Sequence, residues 1–154
     1  MRIFYDRSSL IKLTSKIETK INRLKNIKPL MPKIATLLYK SVMKNFQEQG
    51  TDKEKWSPLK EATIKRRRKG SGFGTPKILQ DTGFLKRSIF PVAKENEAIV
   101  YTNVPYAPVH QFGTNRAGRN NNVKIPARPF MVLRQEYKDL ILKTIEKFFG
   151  KYGD

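Results

Sequence analysis

Apolar residues in the first part of the chain recur at spacings of three and four positions. A first stripe runs from Leu10 to Ile27 and a second from Ile34 to Phe46, with Pro29 and Pro32 between them. This spacing is typical of one apolar face of an α-helix, and prolines separate helices because they lack a backbone donor. The pattern therefore predicts two amphipathic helices, and we interpret both stripes as core-facing.

A short helix is predicted on each side of a glycine-rich stretch. Pro58 suits the first turn of a helix that continues to about Arg68, because the N–H that proline lacks is unbonded at that position anyway. The stretch KGSGFGTP that follows contains three glycines and a proline, which is typical of a loop. Beyond it, Asp81 or Thr82 is expected to cap a brief helix that carries Phe84.

The pattern changes to alternation between Ser88 and Asn103. Apolar residues on either side of the sequence ENE at 95–97 predict two antiparallel strands joined by a tight turn. A long loop is predicted from Thr114 to Val123, and Pro129 is expected to open a long helix with apolar residues from Phe130 to Phe148 on one face. Together these elements predict a single α+β domain over residues 1–154, with a helical amino-terminal half, a small antiparallel sheet and a long carboxy-terminal helix.

Charge is the extreme feature of the composition. The chain has 32 Lys and Arg residues against 13 Asp and Glu, which gives a formal net charge of +19. Such an excess predicts attraction to polyanions or acidic protein surfaces. A basic run at 65–69 is equally explained as a solvated helix end, since the helix dipole favours cations there. The candidate contacts with DNA or an acidic partner are Lys65, Arg66, Arg67, Arg68 and Lys69 in that run, and Arg116, Arg119 and Lys124 further along.

The remaining composition restricts the function classes. The chain has no cysteine, which excludes disulfides, thiolate metal sites and a cysteine nucleophile. It also has no run of about 18 apolar residues, so we expect a soluble, intracellular protein without a membrane partner. No phosphate-binding loop or nucleophile motif is present.

His110 is the only histidine, and no acidic residue lies between Glu97 and Glu136. A general base or a metal site would need such partners. We therefore interpret His110 as bonding locally to hold a turn that ends at Gly113, where a positive φ is expected. No catalytic residue, metal or cofactor is predicted.

Five short stretches occur in an ordered series along the chain. They are FQEQG at 46–50, WSPLKEAT at 56–63, ILQDTGFLKRS at 78–88, YAPVHQFGT at 106–114 and IPARPF at 125–130. This series resembles the virion morphogenesis family of tailed bacteriophages, which includes the tail completion proteins of Mu-like phages. More distantly, it is similar to the tail components that join head to tail. The resemblance spans roughly residues 34–149, and the ordered combination is more specific than any one stretch.

The resemblance implies a structural assembly protein without enzymatic activity. Such a protein finishes the head-proximal end of the tail or forms part of the neck, commonly as a ring of about six copies. The implied partners are further copies of the chain, the tail tube or tail terminator, the head connector and, without sequence specificity, the passing genomic DNA. The implied location is the bacterial cytoplasm during assembly and the virion afterwards.

The resemblance also implies roles for two groups of residues. One group would organise the subunit: Trp56, Leu59, Leu79, Gly83 and Leu85. The other, which we call the assembly segment, would shape the chain between the sheet and the last helix: Tyr106, His110, Gly113, Pro126, Arg128, Pro129 and Phe130.

Two other functions stay open at this point. A nonspecific nucleic-acid-binding protein unrelated to virions would show steeply salt-dependent binding and no role in particle assembly. A small nuclease or toxin would use His110 and lose activity on His110→Ala. The scattered acidic residues make this second alternative the weaker one.

Overall fold

Helices dominate the amino-terminal half of the fold, and two β-hairpins follow before a long last helix. The computed structural model describes residues 7–68 and 76–150. The α+β class predicted from the sequence is confirmed, although the strands form two separate two-stranded sheets. In chain order the elements are α1 (Arg7–Lys25), α2 (Met31–Glu48), α3 (Glu61–Arg68), α4 (Phe84–Arg87), β1 (Phe90–Ala93), β2 (Ala98–Tyr101), α5 (Ala107–Phe112), β3 (Thr114–Ala117), β4 (Val123–Ile125) and α6 (Gln135–Gly150).

Helix α2 is the central element. It packs against β1, β2 and α6. Phe46 of the predicted apolar stripe is buried, whereas the other stripe positions are half-buried: Ile34, Leu37, Leu38 and Met43. The helix ends at Glu48, and Gln49 takes a left-handed conformation with φ 52°. The next residue, Gly50, lies so close to the backbone of Glu54 that an added Cβ would be 2.6 Å from its carbonyl oxygen. A side chain at this position would therefore clash with the backbone.

The core is built around three aromatic rings. Phe46, on α2, contacts Trp56 edge-on at 5.7 Å and Phe130 at 5.4 Å between ring centroids. Both arrangements fall within the favoured range for aromatic pairs. Leu79 and Leu85 join the same cluster.

An extended stretch at 128–134 passes beneath α2, and this changes where the last helix begins. The prediction that Pro129 opens the last helix is wrong, because α6 starts at Gln135. Side chains from other elements bond the backbone of the stretch and keep it extended. Asn45 donates to the carbonyls of Phe130 and Val132 at 3.0 and 2.7 Å.

Further side chains hold the same stretch. Gln111 accepts the N–H groups of residues 130 and 131, both at 3.0 Å. The indole of Trp56 donates to the carbonyl of Pro129 at 3.0 Å. The N–H of Arg134 donates to Ser41 Oγ at 2.9 Å, and a carboxylate at position 52 accepts the first N–H of α6. The backbone donors and acceptors of this buried stretch are thus largely satisfied without a helix or strand.

The first hairpin agrees with the sequence pattern and the second does not. Strands β1 and β2 pair antiparallel with Pro91 opposite Val100, as the alternation predicted. The segment Thr114 to Val123, predicted as a loop, contains most of a bulged antiparallel hairpin formed by β3 and β4. Its residues are mostly polar and show no clear alternation, so the strands carry no apolar signal.

The short helices begin later than predicted. Helix α3 starts at Glu61 rather than Pro58, because Arg128 bonds the carbonyls of Ser57 and Pro58 and keeps that stretch extended. The residue before α4 is Gly83, with φ 72°, rather than Asp81 or Thr82, although Thr82 Oγ1 accepts the N–H of Phe84 at 3.3 Å.

The apolar stripe of α1 is exposed at two of its described positions. Ile17 and Ile21 are 48% and 43% exposed, and Ile11 beside the stripe is 60% exposed, so our core-facing interpretation is wrong at these positions. The helix itself forms as predicted, and helical periodicity alone does not reveal what covers its apolar face. No helix in the described part of the chain combines the length and apolar character needed to cross a bilayer.

We predict that Asn45→Ala destabilises the fold by about 2–4 kcal/mol, since it leaves two buried carbonyls unbonded and creates a cavity. Urea denaturation followed by the fluorescence of Trp56, the only tryptophan, measures the change in the free energy of unfolding. Asn22→Ala, at an exposed position of α1, is the matched control. Equal stability of the two variants would contradict the role assigned to Asn45.

Candidate functional site

The assembly segment divides into a surface part and a buried part. Tyr106 is 44% exposed and precedes α5, and its ring contacts His110 edge-on at 5.7 Å between centroids. Phe130 is 1% exposed and belongs to the core. Pro126 and Pro129 are half-buried on the chain that returns from the second hairpin. The segment thus joins a surface turn to the interior of the subunit.

Arg128 is buried although it carries a charge. Its side chain is 7% exposed, and its Nε and Nη2 donate to the carbonyls of Ser57 and Pro58, both at 3.0 Å. No carboxylate of the described residues lies within ion-pair distance of it. Burial, and then repulsion from Arg67, lower the pKa of Arg128. The guanidinium therefore links two distant parts of the chain as a donor to backbone oxygens.

His110 holds the base of the second hairpin through its backbone. Its carbonyl accepts the N–H of Arg128 at 2.7 Å. Gly113, three residues later, has φ 74°, and an added Cβ would lie 2.7 Å from the backbone nitrogen of Ala127. The positive φ expected at Gly113 is confirmed.

The His110 ring has few hydrogen-bond partners. Its Nδ1 is buried and has no hydrogen-bond partner among the described residues. Burial lowers the pKa of His110, and the cations Arg128 and Arg67 lower it further. The ring is therefore neutral at physiological pH, and it lacks the orienting carboxylate that a general base needs.

The basic run at 65–69 does not form one uniform surface. Lys65 and Arg66 are exposed on α3. The side chain of Arg67 is 13% exposed and forms an ion pair with Asp81 at 3.2 Å while bonding the carbonyl of residue 77. The Arg68 side chain and all of residue 69 lie outside the described residues. The run thus offers two described cations to a polyanion, and its third stabilises the subunit.

The second basic group lies on the β3–β4 hairpin. Arg116, Arg119 and Lys124 are all exposed there. The hairpin carries no acidic residue, so its field is uniformly positive. Phosphate binding without sequence specificity requires only such a surface.

Several apolar side chains are exposed where the sequence analysis predicted no site. Phe112 is 78% exposed at the end of α5, and Phe84 is 55% exposed on α4. Phe90 and Tyr101 form an exposed pair, 6.0 Å apart between centroids, across the first hairpin. Alternation predicts that hairpin, but it does not tell which face the protein covers, so the sequence analysis missed this surface.

The described residues contain no group of three or more His, Cys, Asp or Glu that could hold a metal ion. The described residues instead present exposed apolar and basic surfaces around a core whose polar groups are largely hydrogen-bonded. Such surfaces are typical of a protein that acts by contact with other macromolecules.

This chain belongs to the phage virion morphogenesis family, whose pattern it matches over residues 9–150. It is 39% identical over 137 residues to the Mu-like prophage FluMu G protein 2 of Haemophilus influenzae, covering 89% of this chain and 88% of the relative. It is 34% identical over 126 residues to an uncharacterized protein of Methanocaldococcus jannaschii, covering 78% of this chain and 87% of that protein. No solved structure matches it significantly. The resemblance drawn from the ordered motifs is confirmed.

We predict that the fold loses stability as the pH falls below 6.5, the ordinary pKa of histidine. In that range the unfolded chain binds a proton at His110 that the folded chain takes up only at lower pH, so acidification favours unfolding. Urea midpoints measured from about pH 7.5 to about pH 5.5 report the effect, since His110 is the side chain whose ordinary pKa lies in this window.

His110→Gln is the matched control, because it keeps a polar side chain that does not titrate. Its midpoint should fall less than that of the natural chain over the same range. An identical fall in both proteins would contradict a lowered pKa at His110.

Proposed function

We propose that this protein is a structural component of a tailed phage or prophage that completes the head-proximal end of the tail or joins head to tail. In this proposal it acts as a ring of identical subunits and catalyses no reaction. Its partners are further copies of itself, the tail tube or tail terminator, the head connector and passing genomic DNA. It assembles in the bacterial cytoplasm and remains in the virion, in the tail or neck.

Membership of the phage virion morphogenesis family carries the proposal. The relative from Haemophilus influenzae is named as a Mu-like prophage protein, and the alignment covers most of both chains. The His110 Nδ1 has no hydrogen-bond partner among the described residues, and burial and two nearby cations lower the pKa of the ring, so the geometry gives no support to the nuclease or toxin alternative.

Self-association is supported by apolar surface that this chain leaves uncovered. Helix α1 exposes Ile17 and Ile21 of its stripe and the adjacent Ile11, and α5 exposes Phe112. Burying such side chains is favourable by roughly 25 cal/mol for each Å² removed from water. A second copy of this chain is the occupant we assign to the α1 stripe, because a closed ring requires each subunit to present surface to the next.

Contact with DNA is supported by the distribution of exposed cations. Lys65 and Arg66 lie on α3, and three further cations lie on the β3–β4 hairpin. Cations of this kind contact phosphates rather than bases, so they could bind DNA of any sequence that passes through a channel. A polyanion bound by these cations would also reduce the repulsion between copies of the chain.

We predict that deletion of this gene alone leaves phage lysates with separate full heads and tails, or with tails of abnormal length. Electron microscopy of the lysate measures this outcome, and expression of the intact gene in trans should restore normal particles. Infectious particles of normal appearance in the deletion lysate would overturn the assembly role.

We also predict that removal of the exposed cations weakens DNA binding while the fold stays intact. The variant carries Gln at Lys65, Arg66, Arg116, Arg119 and Lys124, and leaves Arg67 unchanged because that residue stabilises the subunit. Fluorescence anisotropy with a labelled duplex over a salt series should show a salt slope shallower by about 0.9 for each phosphate that is no longer neutralised.

The matched control removes the same number of charges from exposed positions elsewhere. It carries Gln at Lys33, Lys40, Lys53, Lys138 and Lys143. An equal decrease of affinity in the two variants would show that net charge, rather than the α3 and hairpin cations, attracts the DNA.

A further inference from the structure

A cleft of about 350 Å³ lies between α3, α4 and α5. Arg67, Arg128 and His110 line it together with Asp81, so basic groups from three separate stretches of the chain meet in one place. Formally, the two guanidiniums and one carboxylate leave the cleft with an excess of one positive charge, because His110 is neutral. Among the described residues, the cleft thus carries more positive than negative charge.

Arg128 is the unusual member of this group. It is more than nine-tenths buried, yet its side chain donates to two backbone carbonyls and no carboxylate of the described residues neutralises it. Buried charges are ordinarily paired, because an uncompensated charge away from water is costly. Burial lowers the pKa values of both Arg128 and His110, and repulsion from Arg67 lowers both further.

We propose that this cleft receives a carboxylate side chain from an acidic partner protein, which pairs with Arg67 and Arg128 when the two chains dock. The carboxylate would replace water in front of the guanidiniums and form charge-assisted hydrogen bonds, the stronger class of such bonds. We take the partner to be an acidic protein because a chain with a net charge of +19 attracts acidic protein surfaces.

The shape of the cleft favours an acidic side chain over a nucleic-acid backbone. Arg128 is buried within the cleft, whereas phosphates along DNA are met by cations on an outer surface. Phe84 and Tyr106, which are 55% and 44% exposed, line the same cleft. They provide apolar surface for residues that flank the acid.

The single histidine allows a direct test, because its ring resonance is unique in the proton NMR spectrum. The probe is a capped leucine–glutamate–leucine tripeptide, and its glutamine counterpart is the matched control. The glutamate peptide should shift the His110 resonance saturably and raise its pKa, and the glutamine peptide should bind about tenfold or more weakly.

Two variants with opposite expected effects sharpen the test. Arg67→Gln should weaken binding of the glutamate peptide about tenfold. Asp81→Asn should strengthen it, because the carboxylate that already competes for Arg67 is gone. Lys138→Gln removes the same charge from an exposed position on α6 and should change nothing. Denaturation followed by tryptophan fluorescence checks that each variant is folded. Arg128→Lys is avoided because the Arg128 side chain also donates to the backbone carbonyls of residues 57 and 58.

The proposal fails if neither peptide shifts the resonance, or if both bind equally. It also fails if a DNA duplex shifts the resonance in an Arg67-dependent way while the glutamate peptide does not, since the occupant would then be a phosphate. One part of this inference rests on the proposed function, namely that the acidic partner is a virion protein. Peptide binding is measured on the isolated chain, so its failure is distinguishable from a normal phenotype of the deletion phage.

Discussion

Asn45 satisfies the backbone of a stretch that has no secondary structure of its own. Its side chain is fully buried, donates to two carbonyls of the 128–134 stretch and accepts from Arg134. Because that stretch carries Phe130 into the core and leads into α6, these few bonds fix the position of the last helix relative to α2. The hydrophobic cluster then packs around a backbone conformation that these polar side chains hold in place.

Arginine side chains occupy three physically different environments in this chain. Arg134 is buried with Glu48 as an ion-pair partner at 2.8 Å, so its charge is compensated within the subunit. Arg128 is buried against backbone carbonyls without such compensation. Arg119 is exposed to solvent. A high net charge therefore does not translate into a uniformly cationic surface, because part of it is used for internal bonding and part is held in a cleft.

The elements that sequence could predict are those whose signal is local. Helical spacing located α1 and α2, and alternation located β1 and β2. The late start of α6 was missed because it depends on Asn45 and Gln111, which are distant in sequence from the stretch they bond. Likewise, the ion pair between Arg67 and Asp81 could not be predicted from the run at 65–69, because five consecutive basic residues do not indicate which of them will be buried. The candidate contact surfaces were therefore only partly predictable.

The hydrogen bond between the His110 carbonyl and the Arg128 N–H closes the base of the second hairpin. The residues between Gly113 and Ala127 lie beyond that closed base, and none of them belongs to the hydrophobic cluster around Phe46. Loop-closure entropy grows slowly, with each doubling of length costing about 0.6 kcal/mol. The hairpin is consequently an arm whose length and charge can change at little cost to the stability of the core that carries it.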